Sequence, residues 1–215
     1  MNLSKKDLHR PAPGFRREAI THVAAKLFYD QGFNNTSLAD IANCIGFLKP
    51  VIYESFVDKR DLLNGVASTG IEAGLLKLGT EPQSDANSDE LIDRLILVQE
   101  VFIFFHKHIV VYIREELNLR SEDASRIRAK RRKFDETLLQ WIENLNEQKH
   151  TNVCNPEYAA LSISGMITWP VFWYENQKSR YYSVPVFVIV FHVSVSFAIH
   201  FFFVLFLRKI DQNYS

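Results

Sequence analysis

Residues Thr36–Phe56 read TSLADIANCIGFLKPVIYESF, and this stretch decides the fold of the N-terminal part of the chain. Before Gly46 the apolar side chains recur at three- and four-residue spacing, which places them on one face of a short helix. They are Leu38, Ile41, Ala42 and Ile45. Thr36 or Ser37 is expected to cap this helix. Gly46 lies where the chain must reverse, and glycine adopts the positive φ of such a turn without strain.

A second short helix is predicted after Gly46. Pro50 suits its first turn, where a missing N–H costs nothing, and Ile52 and Phe56 lie four residues apart on its inner side. The outer side is then left with Lys49, Val51, Tyr53 and Glu54. Two short helices joined by a tight turn form a helix-turn-helix, whose second helix can enter the major groove of DNA.

The flanking segments extend this pattern to four helices. Residues 16–31 carry an apolar stripe that ends at Gly32 and predicts a preceding helix. Asp58 is expected to cap a following helix that begins at Lys59, and a lysine at that position is placed to contact phosphate. Basic residues before the first helix either follow the DNA backbone or are simply solvated. They are Lys5, Lys6, Arg10, Arg16 and Arg17.

In these features the chain resembles the TetR family of bacterial transcriptional regulators. The similarity rests on a set of spaced motifs: Arg17–Phe28, Gly32-Phe33, Thr36-Ser37, Asp40-Ile41-Ala42, Gly46, Tyr53, Phe56, Lys59 and Leu62-Leu63. It implies an all-α homodimer, with an N-terminal three-helix helix-turn-helix DNA-binding domain and a C-terminal helical ligand-binding and dimerisation domain. The implied partners are a double-stranded DNA operator and a small hydrophobic effector, and no cofactor is expected.

The resemblance also assigns DNA contacts. Tyr53 and Lys59 align with phosphate contacts of the family, and Thr36 aligns with a contact at a helix start. The full predicted DNA-binding set is Thr36, Ser37, Lys49, Pro50, Val51, Tyr53, Glu54 and Lys59. The chain departs from the family at Leu48 and Val51, where hydroxyl residues are usual. A helix cap and a phosphate donor are therefore lost, which implies either a lower affinity for DNA or a contact of Val51 with a thymine methyl.

Composition fits a cytoplasmic DNA-binding regulator. The 215 residues carry no formal net charge, but basic residues gather towards the N-terminus. Only two cysteines occur, which suits a reducing compartment, and the polar N-terminus lacks the apolar core of a secretory signal. We expect a basic arm at 1–13, the DNA-binding domain at 14–74, a regulatory helical domain at 75–182 and an atypical apolar tail at 183–215.

Three longer helices are predicted after a polar loop at 79–89: 90–116 with a break around 106–108, 126–146 and 156–173. Segments 112–116 and 165–174 resemble, more loosely, family members that control lipid or steroid breakdown, whose effectors are often acyl-CoA-like. Side chains on the first and third of these helices predict an effector pocket: Phe102, Phe105, His106, Ile109, Tyr112, Met166, Trp169 and Trp173. Aromatic stripes of this kind are also typical of a closed core.

Other kinds of site are not favoured. His106 and His108 could join Glu115 at a metal, but residues two apart on a helix face different sides, so no metal site is predicted. No phosphate-binding glycine loop or nucleophile motif occurs, so no enzyme activity is predicted. The basic run at 126–133 suggests a nucleic-acid patch, but acidic neighbours favour a solvated helix face.

The tail is unlike the rest of the chain. Residues 184–207 contain no Asp, Glu, Lys or Arg and are followed by Arg208-Lys209, a length that could span a bilayer. Three explanations remain open: a buried dimer helix, a membrane anchor, or the product of a shifted reading frame, which the abrupt change after Tyr181 favours. The predicted function is a sequence-specific, ligand-released repressor of an operon for small-molecule metabolism, such as that of lipids or acyl-CoA, or for efflux. The alternative is a membrane-attached helical interaction protein that no longer binds DNA.

Overall fold

A computed structural model describes residues 13–83 and 85–172. This part is helical and contains no strand, as predicted. Its α-helices are α1 (Pro13–Gln31), α2 (Leu38–Ile45), α3 (Lys49–Ser55), α4 (Lys59–Leu78), α5 (Ser88–Phe104), α6 (His106–Glu115), α7 (Ser121–Glu147) and α8 (Pro156–Thr168). Short 3-10 helices lie at Glu116–Asn118 and Trp169–Phe172.

The chain divides into two compact units, and neither unit is one continuous segment. The first holds the chain up to Leu75 together with Phe104–Lys133. The second holds Leu76–Ile103 and the chain from Phe134 onwards. Three helices, α4, α5 and α7, therefore contribute residues to both units.

In the first unit, α1, α2 and α3 bury their apolar faces around one core. The large buried side chains of this core include Ile20 and Phe28 of α1, Ile41 of α2, Ile52 of α3, and Phe56. These positions follow the helical spacing seen in the sequence, because each helix turns the same side towards the others. The predicted three-helix unit is confirmed.

Later segments of the chain complete this core. Val111 and Tyr112 of α6 and Ile127 of α7 belong to the same buried cluster as the first three helices. α6 packs directly against α1. The first unit thus includes residues that were expected in the regulatory domain at 75–182.

Local interactions define both ends of α2. The N–H of Asp40 donates to Ser37 Oγ at 3.1 Å, and the N–H of Ser37 donates to the Asp40 carboxylate at 2.8 Å. Such a reciprocal pair is a capping box. Gly46 ends the helix in the left-handed conformation, with φ of 74°, as its position predicted. By contrast, Leu48 precedes α3 without any side-chain capping bond.

In the second unit, α5 and the later part of α7 run antiparallel. The ring centroids of Phe102 and Phe134 lie 5.9 Å apart, and the guanidinium of Arg94 lies 5.0 Å from the centroid of the Trp141 ring. Residue numbers therefore rise along α5 as they fall along α7. α8 joins α7 through the hydroxyl of Ser164, which donates to a carboxylate of α7 at 2.8 Å.

Two helices begin at different residues than predicted. α7 begins at Ser121 rather than at 126, because its first turn is acidic and suits the positive end of the helix dipole. α5 begins at Ser88 rather than at 90, because Asn87 caps it. The Oδ1 of Asn87 accepts from the N–H of Glu90 at 3.0 Å.

The other differences concern a break and a helix end. The predicted break around 106–108 lies at Phe105, directly before that segment. α8 ends at Thr168 instead of continuing to 173, and a 3-10 helix follows. Pro170 explains this end, since proline has no N–H to continue the helix.

Some predictions concern residues outside the described part of the chain. These are the basic arm up to residue 12, Trp173 of the effector set, and the tail at 183–215 with its three explanations. Among the described residues, no single helix has the length and hydropathy to cross a membrane, whereas α5 and residues 106–118 meet those criteria only as a broken pair.

Candidate DNA-binding surface

The helix-turn-helix carries a groove of about 420 Å³ beside the start of α3. Its lining residues are Asn34, Asn35, Thr36, Ser37, Leu38, Ala39, Lys49, Ile52, Tyr53 and Lys59. The groove brings together five of the predicted DNA-binding residues: Thr36, Ser37, Lys49, Tyr53 and Lys59. The other three, Pro50, Val51 and Glu54, lie on α3 and do not line this groove.

Lys49 and Tyr53 present accessible polar groups on one face of α3. The two residues lie four apart, so their side chains are neighbours on the helix surface. Lys49 is exposed, and the side chain of Tyr53 is 58% exposed. No acidic side chain within the described ranges forms an ion pair with Lys49. The groove therefore has a cation and a hydroxyl group at its rim.

Thr36 and Lys59 bond to the protein itself. The side chain of Thr36 is only 1% exposed, and its hydroxyl donates to the carbonyl of Gly32 at 2.9 Å. The ammonium of Lys59 donates to the carbonyls of Phe33 at 2.7 Å and Thr36 at 2.8 Å, and it lies 4.3 Å from the centroid of the Phe33 ring. Both residues hold the turn before α2, and their contact with DNA stays a prediction.

Glu54 is also engaged within the protein. Arg16 of α1 donates to its carboxylate at 2.9 Å. The neighbouring Arg17 donates to the carbonyl of Ser55, and its guanidinium lies 4.1 Å from the centroid of the Phe56 ring. The sequence placed both arginines with the basic arm, and their role in holding the end of α3 was missed. Local spacing offered no signal, because the partners lie 38 residues further along the chain.

Carboxylates stabilise the helix starts on this surface. The N–H of Asp61 donates to Asp58 at 2.8 Å, and this bond, helped by the guanidinium of Arg120, holds the pKa of Asp58 below its usual value. Hydrogen bonds from Ser37 likewise lower the pKa of Asp40. Both carboxylates therefore stay ionised where the helix dipole favours negative charge.

Three of the six cations in the basic run at 126–133 of α7 are paired with acidic side chains. The pairs are Arg126–Asp123, Arg128–Glu116 and Lys130–Glu72. Arg131 lies over the ring of Tyr112, 5.8 Å from its centroid. This arrangement supports a solvated helix face, since a DNA-binding patch would present its cations without such partners.

The predicted effector residues are divided between the two units. Phe105, His106, Ile109 and Tyr112 belong to the first, and Phe102, Met166 and Trp169 belong to the second. The buried members are Phe102, His106 and Tyr112, whereas Trp169 is 65% exposed. Their joint role as a pocket stays a prediction.

His108 is buried beside the predicted effector residues of the first unit. Its ring centroid lies 5.7 Å from that of His22 and 5.1 Å from that of Phe105. Burial lowers the pKa of His108 to about 3, and the neighbouring charges of His22 and His106 act in the same direction. No group of three metal-ligating side chains was found in the described part of the chain.

Gln99 was not singled out from the sequence. It lies on α5 among buried apolar residues and is only 2% exposed. Its Nε2 has no hydrogen-bond partner among the described residues. The available signal was a polar residue on the apolar face of a helix, which requires an explanation.

Two family models match this chain. Residues 20–66 match the model for bacterial regulatory proteins of the tetR family, and residues 88–177 match the tetracyclin repressor-like C-terminal domain. The chain belongs to the TetR family. The two matches together cover more than half of its length and include α2 and α3 as well as α5 to α8.

Relatives of this TetR family protein include transcriptional repressors. ComR of Escherichia coli K12 is 37% identical over 68 residues, which are 32% of this chain and 32% of ComR. KstR2 of Mycobacterium tuberculosis is 24% identical over 164 residues, which are 74% of this chain and 81% of KstR2. The matched part thus spans about a third of ComR but most of KstR2.

Solved structures show the same fold. The ketosteroid transcriptional regulator KstR2 of Mycobacterium tuberculosis superposes with a TM-score of 0.66 at 18% identity, over 84% of this chain and 92% of that chain. AibR in complex with isovaleryl coenzyme A and operator DNA gives a TM-score of 0.62 at 22% identity, over 82% of this chain and 96% of that chain.

Family membership establishes the class of function. TetR regulators bind operator DNA and small-molecule effectors, and they act as dimers. The chain is accordingly a DNA-binding transcriptional regulator, and the alternative of a membrane-attached interaction protein is not favoured.

Proposed function

We propose that this TetR family protein is a repressor that docks the start of α3 in the major groove of its operator and leaves the DNA when an apolar effector binds. The observation that carries the proposal is the exposure of Lys49 and Tyr53 on one face of α3, with Ser37 lining the same groove. Lys49 and Tyr53 offer one cation and one hydroxyl group to the phosphates beside the major groove, whereas the hydroxyl of Ser37 already donates to Asp40 at 2.7 Å.

Contacts inside the first unit hold α3 without using this outer face. Ile52 and Phe56 are buried in the core, and Glu54 is tied to Arg16 of α1. A helix fixed in this way loses little conformational freedom when it docks, so more of the contact energy appears as affinity.

Bases are expected to be read largely through apolar contact. Pro50 and Val51 occupy the first turn of α3 and carry no hydrogen-bonding side chain. Apolar side chains in the major groove recognise the methyl group of thymine. We therefore expect thymines at the operator positions facing this turn.

Dimerisation is assigned to an apolar stripe on α8 and the following 3-10 helix. The stripe consists of Tyr158, Leu161, Trp169 and Phe172, which are 65%, 58%, 65% and 44% exposed. Their spacing places them on one side of the helix, and a contiguous exposed apolar surface marks an interaction site. A second copy related by two-fold symmetry would cover the same stripe on both chains.

The proposed effector is an apolar acyl or ketosteroid compound. KstR2 is described as a ketosteroid regulator, and AibR binds isovaleryl coenzyme A. Aromatic members of the predicted set, such as Phe102 and Trp169, suit an apolar ligand body. Effector binding would change the separation of the two α3 helices, so that both no longer fit successive major grooves.

Binding to the DNA upstream of its own gene tests the proposed function. The wild-type protein should bind saturably in the presence of unrelated competitor DNA. Tyr53→Phe and Lys49→Ala should each weaken binding about fivefold, because each removes one contact to phosphate. Lys49→Ala should also reduce the slope of log affinity against log salt by about one per protomer.

Lys77→Ala provides the control, because it removes an exposed lysine from the last turn of α4. This variant should bind like the wild-type protein. Binding that competitor DNA abolishes, or unchanged affinity in both the Tyr53 and Lys49 variants, would contradict the proposal.

A further inference from the structure

Gln99 places an unpaired amide inside the second unit. The side chain is buried on α5, and no described residue accepts a hydrogen bond from its Nε2. Burying an N–H group without an acceptor costs free energy, so a group of this kind calls for an explanation. Sequence selection tolerates such a cost where the group serves a function.

The position of Gln99 follows from the antiparallel packing of α5 and α7. The Phe102–Phe134 contact lies on one side of it along the helices, and the Arg94–Trp141 contact lies on the other. Gln99 precedes Phe102 by three residues, which is close to one helical turn. This register places Gln99 at the level of Thr137, which is itself buried on α7.

A second amide on the facing helix is also unsatisfied. Gln140 of α7 has a buried Oε1 without a hydrogen-bond partner among the described residues. The donor of Gln99 and the acceptor of Gln140 therefore do not satisfy each other, although they belong to facing helices of one unit. Two buried amide atoms of α5 and α7 thus have no hydrogen-bond partner among the described residues.

We propose that Gln99 recognises the carbonyl oxygen of the effector, with its Nε2 donating to that oxygen and the Phe102–Phe134 ring pair contacting the adjacent apolar part. The proposal deepens the proposed function and rests on it, because it takes the second unit to contact the effector. A neutral carbonyl suits the site better than a carboxylate. Arg94 is already bonded to Glu90 at 2.8 Å and to the carbonyl of Leu78 at 2.9 Å, and a buried unpaired carboxylate is costly.

Matched ligand pairs test this role directly. The first pair is isovaleryl coenzyme A and the thioether that lacks only its carbonyl oxygen, and the second is a 3-ketosteroid and its 3-deoxy analogue. The wild-type protein should bind the carbonyl member of one pair about tenfold more tightly than its partner, and the responding pair identifies the source of the carbonyl. Gln99→Met should bind both members of that pair equally.

Gln148→Met is the matched control, because the amide of Gln148 already donates to Asn144 at 2.8 Å. This variant should keep the wild-type preference. Equal preferences in the wild-type protein and Gln99→Met would overturn the proposal, as would a wild-type protein that binds neither carbonyl compound. The measurement uses no DNA, so a failure of operator binding refutes the proposed function separately.

Thermal unfolding without ligand separates recognition from a structural role. Gln99→Met replaces an unpaired amide by an apolar group of similar size, so the variant should unfold at the same temperature as the wild-type protein or higher. It should still bind operator DNA. A clear drop in unfolding temperature would show that the amide stabilises the unit and would overturn the assignment.

Discussion

At the scale of single residues, His108 couples the stability of the first unit to pH. Burial lowers its pKa from 6.5 to about 3 in the folded protein, whereas the unfolded chain takes up a proton near 6.5. Between these values the unfolded state binds more protons than the folded state. The free energy of unfolding therefore falls as the pH falls through this range, and from about one pH unit above 6.5 His108 adds little pH dependence.

Replacing His108 should flatten this dependence. Between pH 6.5 and 5, the free energy of unfolding should depend less on pH in His108→Leu than in the wild-type protein. The difference between the two slopes should reach as much as about 1.4 kcal/mol per pH unit. Urea denaturation at several pH values measures it. Wild type and variant should have equal slopes between pH 7.5 and 8.5, and equal slopes below pH 6.5 as well would show that His108 is not the group responsible.

Residue-level prediction from the sequence succeeded where the signal was local. The positive φ of Gly46 and the burial of Ile52 follow from a turn and a helical spacing within a few residues. The direction of the Thr36 and Lys59 side chains could not be predicted from the sequence, because it depends on how the loop before α2 packs against the start of α4. Gln99 could not be interpreted either, since its lack of a partner depends on α7.

At the scale of elements, Gly70 sets how closely α4 and α6 approach. A Cβ added at Gly70 would lie 2.5 Å from Cγ1 of Ile109, which is closer than atoms can pack. Gly70→Ala should therefore lower the free energy of unfolding by about 1–3 kcal/mol. Ile109→Ala removes the opposing atoms, so the double variant should be destabilised by less than the sum of the single changes.

Gly14→Ala gives the matched comparison for this pair. Nothing lies within 4 Å of a Cβ at Gly14 in α1, so the same substitution should not destabilise the protein there. Chemical denaturation of all four variants measures these effects. If the two substitutions change the free energy of unfolding by strictly additive amounts, the contact between Gly70 and Ile109 does not limit how closely α4 and α6 approach.

Helix existence was predictable from periodicity, whereas helix ends were not. The apolar spacing of α7 predicts a helix over 126–146, but its acidic first turn carries the start back to Ser121. The apolar run of α8 continues past Thr168, yet Pro170 ends the regular hydrogen bonding. The end of a helix depends on one or two capping or helix-breaking residues, which the hydrophobic periodicity does not reveal.

At the scale of the whole molecule, Gly165 tests the proposed dimer. It lies on α8 between Leu161 and Trp169 of the apolar stripe, and nothing lies within 4 Å of a Cβ built there. Gly165→Leu should therefore leave the fold of the single chain intact. If two copies pack together through the stripe, Gly165→Leu should weaken self-association about tenfold or more, because the added side chain overpacks the interface.

Sedimentation equilibrium measures this self-association, and circular dichroism checks that helix content is unchanged. Operator affinity should fall together with dimerisation, because two helix-turn-helix units must bind at once. An unchanged dimer dissociation constant would place the interface elsewhere.

The path of the chain between the two units has a consequence for synthesis and for engineering. The chain passes from one unit to the other at Leu75, at Ile103 and again at Lys133. The core around α1 to α3 is therefore completed only after Ile127 of α7 has left the ribosome. A fragment ending near Leu75 would carry the DNA-reading helices with part of their core uncovered. A chimera that exchanges effector specificity thus needs three junctions, not one.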